Sequence, residues 1–248
     1  TPKPSSAASD VYKRQGLAIP DYRLHRGNYR IRRQRGQLWG SARWRNSLVI
    51  PVSEVLDRFQ EYHPDLEPPS SSLQAEVALV LNRDTGEHDP SILFIQRAAS
   101  PDDPWSGQMA FPGGRREPSD LEAGDAACRE TWEEIGLKLR PTDSVGRLGD
   151  LRGRHGGRSA DLVISCFVYL VDTTPTLRPN HEVSEVVQIP LSRLLDPNLR
   201  TSVQYEAAGG TRFPGIFLSK GDERVIWGLT YRFLIRFFSL FGHPLPPG

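Results

Sequence analysis

The sequence predicts an α/β sandwich, a mixed sheet held between helical layers. Three observations point that way. The segments change type along the chain in the order helix, strands, acidic helix, strands, short helix, strands, helix. At 248 residues the chain can bury a sizeable core, yet its longest apolar strand candidate, residues 162–171, is too short to span a bilayer. Near the middle, residues 111–137 join a glycine turn to one strongly acidic helix, around which the other segments are arranged.

The formal net charge of +1 excludes a global field that would draw in nucleic acid or an anionic membrane. Two cysteines, Cys128 and Cys166, are too few for a disulfide framework and read as reduced, which predicts a cytoplasmic setting. No charged-then-apolar leader opens the chain, and no membrane partner is expected.

In chain order, residues 1–15 are rich in Ser and Pro and read as a translated adapter or cloning scar. Residues 16–47 carry eight arginines against Asp21, a local charge of +7. Together, residues 1–47 read as a mobile basic extension. The competing reading is an RNA-binding arm, with Tyr22, Tyr29, Trp39 and Trp44 available to stack on bases. The folded domain is expected over residues 48–248. Ser53 suits the N-cap of a first helix whose Val55, Leu56 and Phe59 form an apolar face. Residues 76–81 and 92–96 are β-branched and aliphatic, and an Asp84-Thr85-Gly86 turn between them predicts neighbouring strands. A long loop, residues 97–110, leads into the central stretch.

That stretch opens with Pro112-Gly113-Gly114, which must turn. Residues 121–135 hold no proline and many good helix formers, and Gly136 is a natural stop. Glu130, Glu133 and Glu134 then fall at i, i+3 and i+4, on one helical face within about 5–6 Å at Cβ. Like charges so placed repel, so solvent or a cation must offset them. A hard divalent ion with oxygen ligands does so, and magnesium suits a few carboxylates plus substrate phosphates.

Beyond the helix, residues 145–151 and 162–171 read as strands around a turn carrying Arg152, Arg154, His155 and Arg158, candidates for phosphate contact or a solvated tip. Residues 182–190 read as a strand and 191–195 as a short helix, followed by strands at 201–206 and 212–218. A last helix is expected over 225–241, where Ile226, Leu229, Phe233, Phe237 and Leu240 recur at helical spacing.

The whole central arrangement resembles the Nudix hydrolase signature. Gly114, Arg129, Glu130, Glu133, Glu134, Gly136 and Leu137 match it; Asp120 stands where its first Glu is expected, one residue further from Arg129, and Thr131 fills an apolar position. Arg97-Ala98, Gly107 and Phe111-Pro112-Gly113-Gly114 are similar to the segment that precedes the box in coenzyme A diphosphatases, although Asp102 replaces an expected arginine there. The resemblance covers about residues 73–241. It implies a Nudix-type α/β/α sandwich with a loop-helix-loop catalytic motif, and hydrolysis of a diphosphate in a nucleoside diphosphate derivative. The implied substrate is coenzyme A or an acyl derivative, cut to phosphopantetheine and 3′,5′-ADP. Nucleotide sugars, ADP-ribose and dinucleoside polyphosphates are the alternatives, and a silent nucleotide- or RNA-binding domain is the rival class.

On that resemblance, Mg²⁺ or Mn²⁺ is held by Glu130, Glu133, Glu134 and a carbonyl near Gly113 or Gly114. A further catalytic carboxylate comes from Glu182 or Glu185, between which the sequence does not choose. Arg97, Gly113, Gly114, Arg115 and Arg152 are expected at the substrate. Asp120, Arg129 and Gly136 are expected to be structural, with Arg129 pinning the loop through Asp120 or Glu117.

Overall fold

The computed structural model describes residues 29–33, 49–68, 73–100, 105–155, 158–205 and 209–247. Most of the 1–47 extension and Asp102 lie outside them, as do the side chains of residues 154–161. In chain order the elements are β1 (Tyr29–Arg33), α1 (Val52–Glu61), β2 (Leu73–Asn82), β3 (Ser91–Arg97), β4 (Met109–Ala110), β5 (Gly113–Arg115) and α2 (Asp125–Ile135). Then come β6 (Ser144–His155), β7 (Arg158–Val171), β8 (Val183–Pro190), α3 (Leu191–Leu195), β9 (Arg200–Tyr205), β10 (Thr211–Phe217), β11 (Val225–Trp227) and α4 (Gly228–Leu240).

The larger sheet runs β4-β3-β2-β7-β6, with β5 also paired to β2 and β8 to β3. Its centre, β2 against β7, is parallel, whereas its other pairings are antiparallel, so the sheet is mixed. Strand periodicity explains how it is buried. In β2, Leu79 and Leu81 join one core while Ala78 and Val80 join another; Ile92 and Phe94 in β3 divide from Leu93 and Ile95 in the same way. Both faces of the central strands are therefore covered, which accounts for runs that are apolar throughout instead of alternating. The first core also takes in α1, α3 and α4, and the second takes in α2 through Ala127 and Ile135. This is the α/β sandwich that the segment order predicts.

Several boundaries differ from expectation. The first helix starts at Val52 after an extended Pro51, with no side-chain cap at all, and Val52 N–H donates to the Glu87 carbonyl instead. Leu56, expected on the apolar face, is exposed while Val52 is buried. Residues 225–227, expected as the start of the last helix, form β11 on β10, because Val225, Ile226 and Trp227 are all buried and β10 offers them an edge. Gly228, with φ 64°, makes the break to α4. Residues 29–33, placed by the sequence reading in the extension, pair antiparallel with β9, giving a second sheet in the order β1-β9-β10-β11. No helix among the described residues is long and apolar enough to cross a membrane.

Candidate active site

The glycine turn is a short strand laid on β2. Gly113 registers with Val77 and Gly114 with Glu76, and the Ala78 N–H donates to the Pro112 carbonyl at 2.9 Å. Side chains have no room here. A Cβ on Gly113, whose φ is 150°, would run into the Glu76 carbonyl and the Val77 backbone. One on Gly114 would occupy the place of the Glu130 carboxylate. The glycines let the backbone pass directly beneath the acidic face of α2.

That helix starts at Asp125, later than residue 121, and its anchor lies in another element. Glu76 on β2 is buried and accepts from Gly124 N–H at 3.1 Å and Ala126 N–H at 3.0 Å. It satisfies first-turn donors that no local cap reaches, and its charge suits the positive end of the helix. Arg116 lies 3.5 Å from its other oxygen. Sequence reasoning missed Glu76, whose one visible signal is that it is the single charged residue of β2. At the far end, Gly136 closes the helix with φ 70° and donates to the Trp132 carbonyl. Thr131, in the apolar position of the box, is buried and returns its hydroxyl to the Ala127 carbonyl at 2.6 Å.

Arg129 ties loop to helix as expected, through Asp120 and not Glu117. Its guanidinium grips both Asp120 oxygens at 3.0 and 3.1 Å and also donates to the Arg115 carbonyl. Asp120 accepts from Glu117 N–H as well, and these bonds, led by that from Arg129, hold its carboxyl below the usual range. Arg129 also reaches Glu130 at 2.9 Å and Glu133 at 3.3 Å.

Glu134 is buried, with one oxygen accepting from Gly113 N–H at 2.9 Å. Burial pushes its pKa up to about 8; the charges of Glu130 and Glu182 add to that, while the Gly113 bond and Arg97 oppose it. Burial raises Glu130 too, against the pull of Arg129 and with further push from Glu133 and Glu182. The structure thus brings together Glu130, Glu133, Glu134, Gly113, Gly114, Arg97 and Glu182. Arg97 sits at a register slip between β3 and β8, and the Glu182 carbonyl beside it accepts from Ala98 N–H.

Two of the expected site residues are engaged elsewhere. Glu185, one of the two candidates for the extra carboxylate, accepts from Arg224 at 2.6 Å and stands half-exposed on β8; Glu182, the other, is in the field of Glu130 and Glu134. Arg152 lies on β6, two strands from β2, with its guanidinium 2.8 Å from Glu67. Arg115 sits next to Gly114 in β5, where its carbonyl serves Arg129.

As the side chains stand, no three carboxylate, histidine or cysteine groups among the described residues close on a metal position, because Arg129 holds Glu130 and Glu133. The donor chemistry nevertheless fits a hard divalent cation. Two desolvated carboxylates repel each other, Glu133 is exposed enough to swing inward, and the Gly114 backbone lies against Glu130.

A model of the NUDIX domain matches residues 72–207. The chain belongs to the NUDIX family. Nudix hydrolases are pyrophosphohydrolases that generally require divalent metal ions. The chain is 32% identical over 179 residues to an uncharacterised protein of Schizosaccharomyces pombe, matching 65% of this chain and 54% of that one. It is 31% identical over 183 residues to an uncharacterised Nudix hydrolase of Yersinia enterocolitica, over 72% of this chain and 87% of the relative. A human protein named mitochondrial coenzyme A diphosphatase is 34% identical over 143 residues, which is 57% of this chain and 58% of the human one. The chain thus spans little more than half of the fission-yeast and human relatives. Among solved structures, a MutT/nudix family protein of Enterococcus faecalis aligns with a TM-score of 0.49 at 16% identity, over 77% of this chain and 69% of that one.

Proposed function

We propose that this protein is a metal-dependent diphosphatase acting on coenzyme A or an acyl-CoA, releasing phosphopantetheine and 3′,5′-ADP. The observation that carries the reaction class is the buried Glu134 carboxylate, held on Gly113 N–H in the field of Glu130 and Glu182. Glu130, Glu133, Glu134 and the Gly114 carbonyl would hold Mg²⁺ or Mn²⁺. Such an ion neutralises charge on the diphosphate and acidifies a water when bound. Arg97, close enough to stabilise the Glu134 anion, orients a diphosphate oxygen. Glu182 supplies the extra carboxylate and takes the proton of the attacking water. Arg129 and Asp120 keep the glycine backbone against α2 throughout.

The coenzyme A assignment draws on the resemblance of residues 97–98 and 111–114 and on the relative bearing that name. Residues 48–248, with a core near 73–241, make up the catalytic unit in this reading. Free Cys128 and Cys166 suit a reducing compartment such as the cytosol or the mitochondrial matrix. The test is a Mg²⁺-dependent hydrolysis screen with coenzyme A, ADP-ribose, NADH and a dinucleoside polyphosphate side by side. Preference for coenzyme A by tenfold or more in kcat/KM is expected, about 1.4 kcal/mol of discrimination. Equal or better turnover of ADP-ribose overturns the substrate assignment, and no turnover of any of the four overturns the reaction class.

A further inference from the structure

A cleft of about 1160 Å³ runs beside α2, outside the glycine turn. Trp132 and Glu133 line it from the helix, Leu137 and Lys138 from the residues that follow, and Pro175 and Arg178 from the segment between β7 and β8. Trp132 sits two residues before Glu134, roughly 160° around the helix, so its side chain points away from Glu134, and Glu133 is where this wall meets the acidic face. The opposite wall is fixed. Arg178 N–H donates to the Ile135 carbonyl and Asn180 N–H to the Glu134 carbonyl, both at 2.8 Å, which occupies the last-turn acceptors of α2.

The charges in the cleft are unevenly used. Arg140 is bound to Asp143, and Asp172 to Arg83. Lys138 and Arg178 line the same space with no ion pair among the described residues, and both are exposed. They lie near the negative end of α2, which accounts for two cations. It does not account for Trp132, a residue 56% exposed beside them in a helix that otherwise buries its apolar side chains.

We propose that this cleft is a second nucleotide site, adjoining the diphosphate-cutting centre at Glu133, whose ligand class is a nucleoside monophosphate. The base stacks on Trp132, and the phosphate takes charge-assisted bonds from Lys138 and Arg178. Leu137, Val171 and Pro175 supply an apolar floor, and the cleft has room for a ligand of this size. Because Glu133 belongs to both the cleft and the acidic face, an occupied cleft is felt at the neighbouring carboxylates.

The test is calorimetric titration of the full chain with 5′-AMP, adenosine or inorganic phosphate in excess EDTA, where no turnover occurs. AMP is expected to bind at least about tenfold more tightly than adenosine or phosphate, since both halves of the site are needed. Trp132→Ala and the double variant Lys138→Ala/Arg178→Ala each weaken AMP about tenfold or more, and Trp132→Tyr restores most of the affinity. In the absence of AMP, all three variants keep metal-dependent turnover within about twofold, a readout that a misfolded variant would fail. Absence of AMP binding in wild type, or affinity unchanged in the variants, overturns the site. Binding is read without turnover, so this outcome is independent of whether coenzyme A proves to be the substrate.

Discussion

Glu134, which carries the proposed chemistry, also sets a measurable stability effect. Its folded pKa of about 8 lies above the unfolded value, so the native state keeps a proton that the unfolded chain releases. This contribution is fully present below the unfolded carboxylate range, near pH 4.3, and is lost as pH rises through about 8. The melting temperature of the metal-free protein should therefore fall between pH 5 and 8. Glu134→Gln should flatten that slope while cutting metal-dependent turnover about 10²-fold or more, since Gln can still accept from Gly113. Scanning calorimetry in EDTA reads the first effect and steady-state kinetics the second; wild-type turnover in the variant would remove Glu134 from the mechanism. Asp120 runs the other way. Its lowered pKa means that the Arg129 clamp contributes above the ordinary aspartate range and is lost as pH falls through the folded value. The glycines separate fold from activity in the same manner. Gly114→Ala meets only the flexible end of Glu130, so a large loss of kcat with little change in melting temperature is expected. Gly113→Ala meets backbone at a left-handed φ, so there stability itself should drop.

At the scale of elements, α2 is held by a residue outside it. Glu76→Ala removes the acceptor for two buried N–H groups and should destabilise by about 1–3 kcal/mol, read from the urea midpoint at unchanged m-value, with Glu76→Gln recovering part of the loss. The acidic face and the Gly136 stop are legible from spacing alone, because helical geometry is local. The start at Asp125 is not, because the cap comes from β2, 48 residues before Gly124 in sequence. The choice between Glu182 and Glu185 is hidden for a similar reason. It turns on a register slip between β3 and β8 and on Arg224, which belongs to a distant segment. At the other sheet, β1 covers the edge of β9. A chain beginning at residue 34 should expose that edge, lower the melting temperature and raise light scattering on heating. Unchanged values would show that β1 contributes nothing to the folded unit.

For the molecule as a whole, the segment order was enough to predict the sandwich, because strand and helix periods are written into each segment and two-sided burial shows as unbroken apolar runs. The division into two sheets was not visible, since residues 225–227 carry a helical spacing and become a strand only where β10 offers partners. By itself, then, the sequence determined the fold class, the glycine turn, the three carboxylates on one helical face, and Arg129 as the clamp. Tertiary structure alone decided that Glu76 caps the helix, that Glu185 pairs with Arg224 while Glu182 lies in the field of Glu130 and Glu134, that Arg152 pairs with Glu67, and that Trp132, Lys138 and Arg178 share one cleft. The reason is physical: local backbone geometry places residues a few positions apart, whereas burial and pairing between distant segments depend on how the whole chain packs.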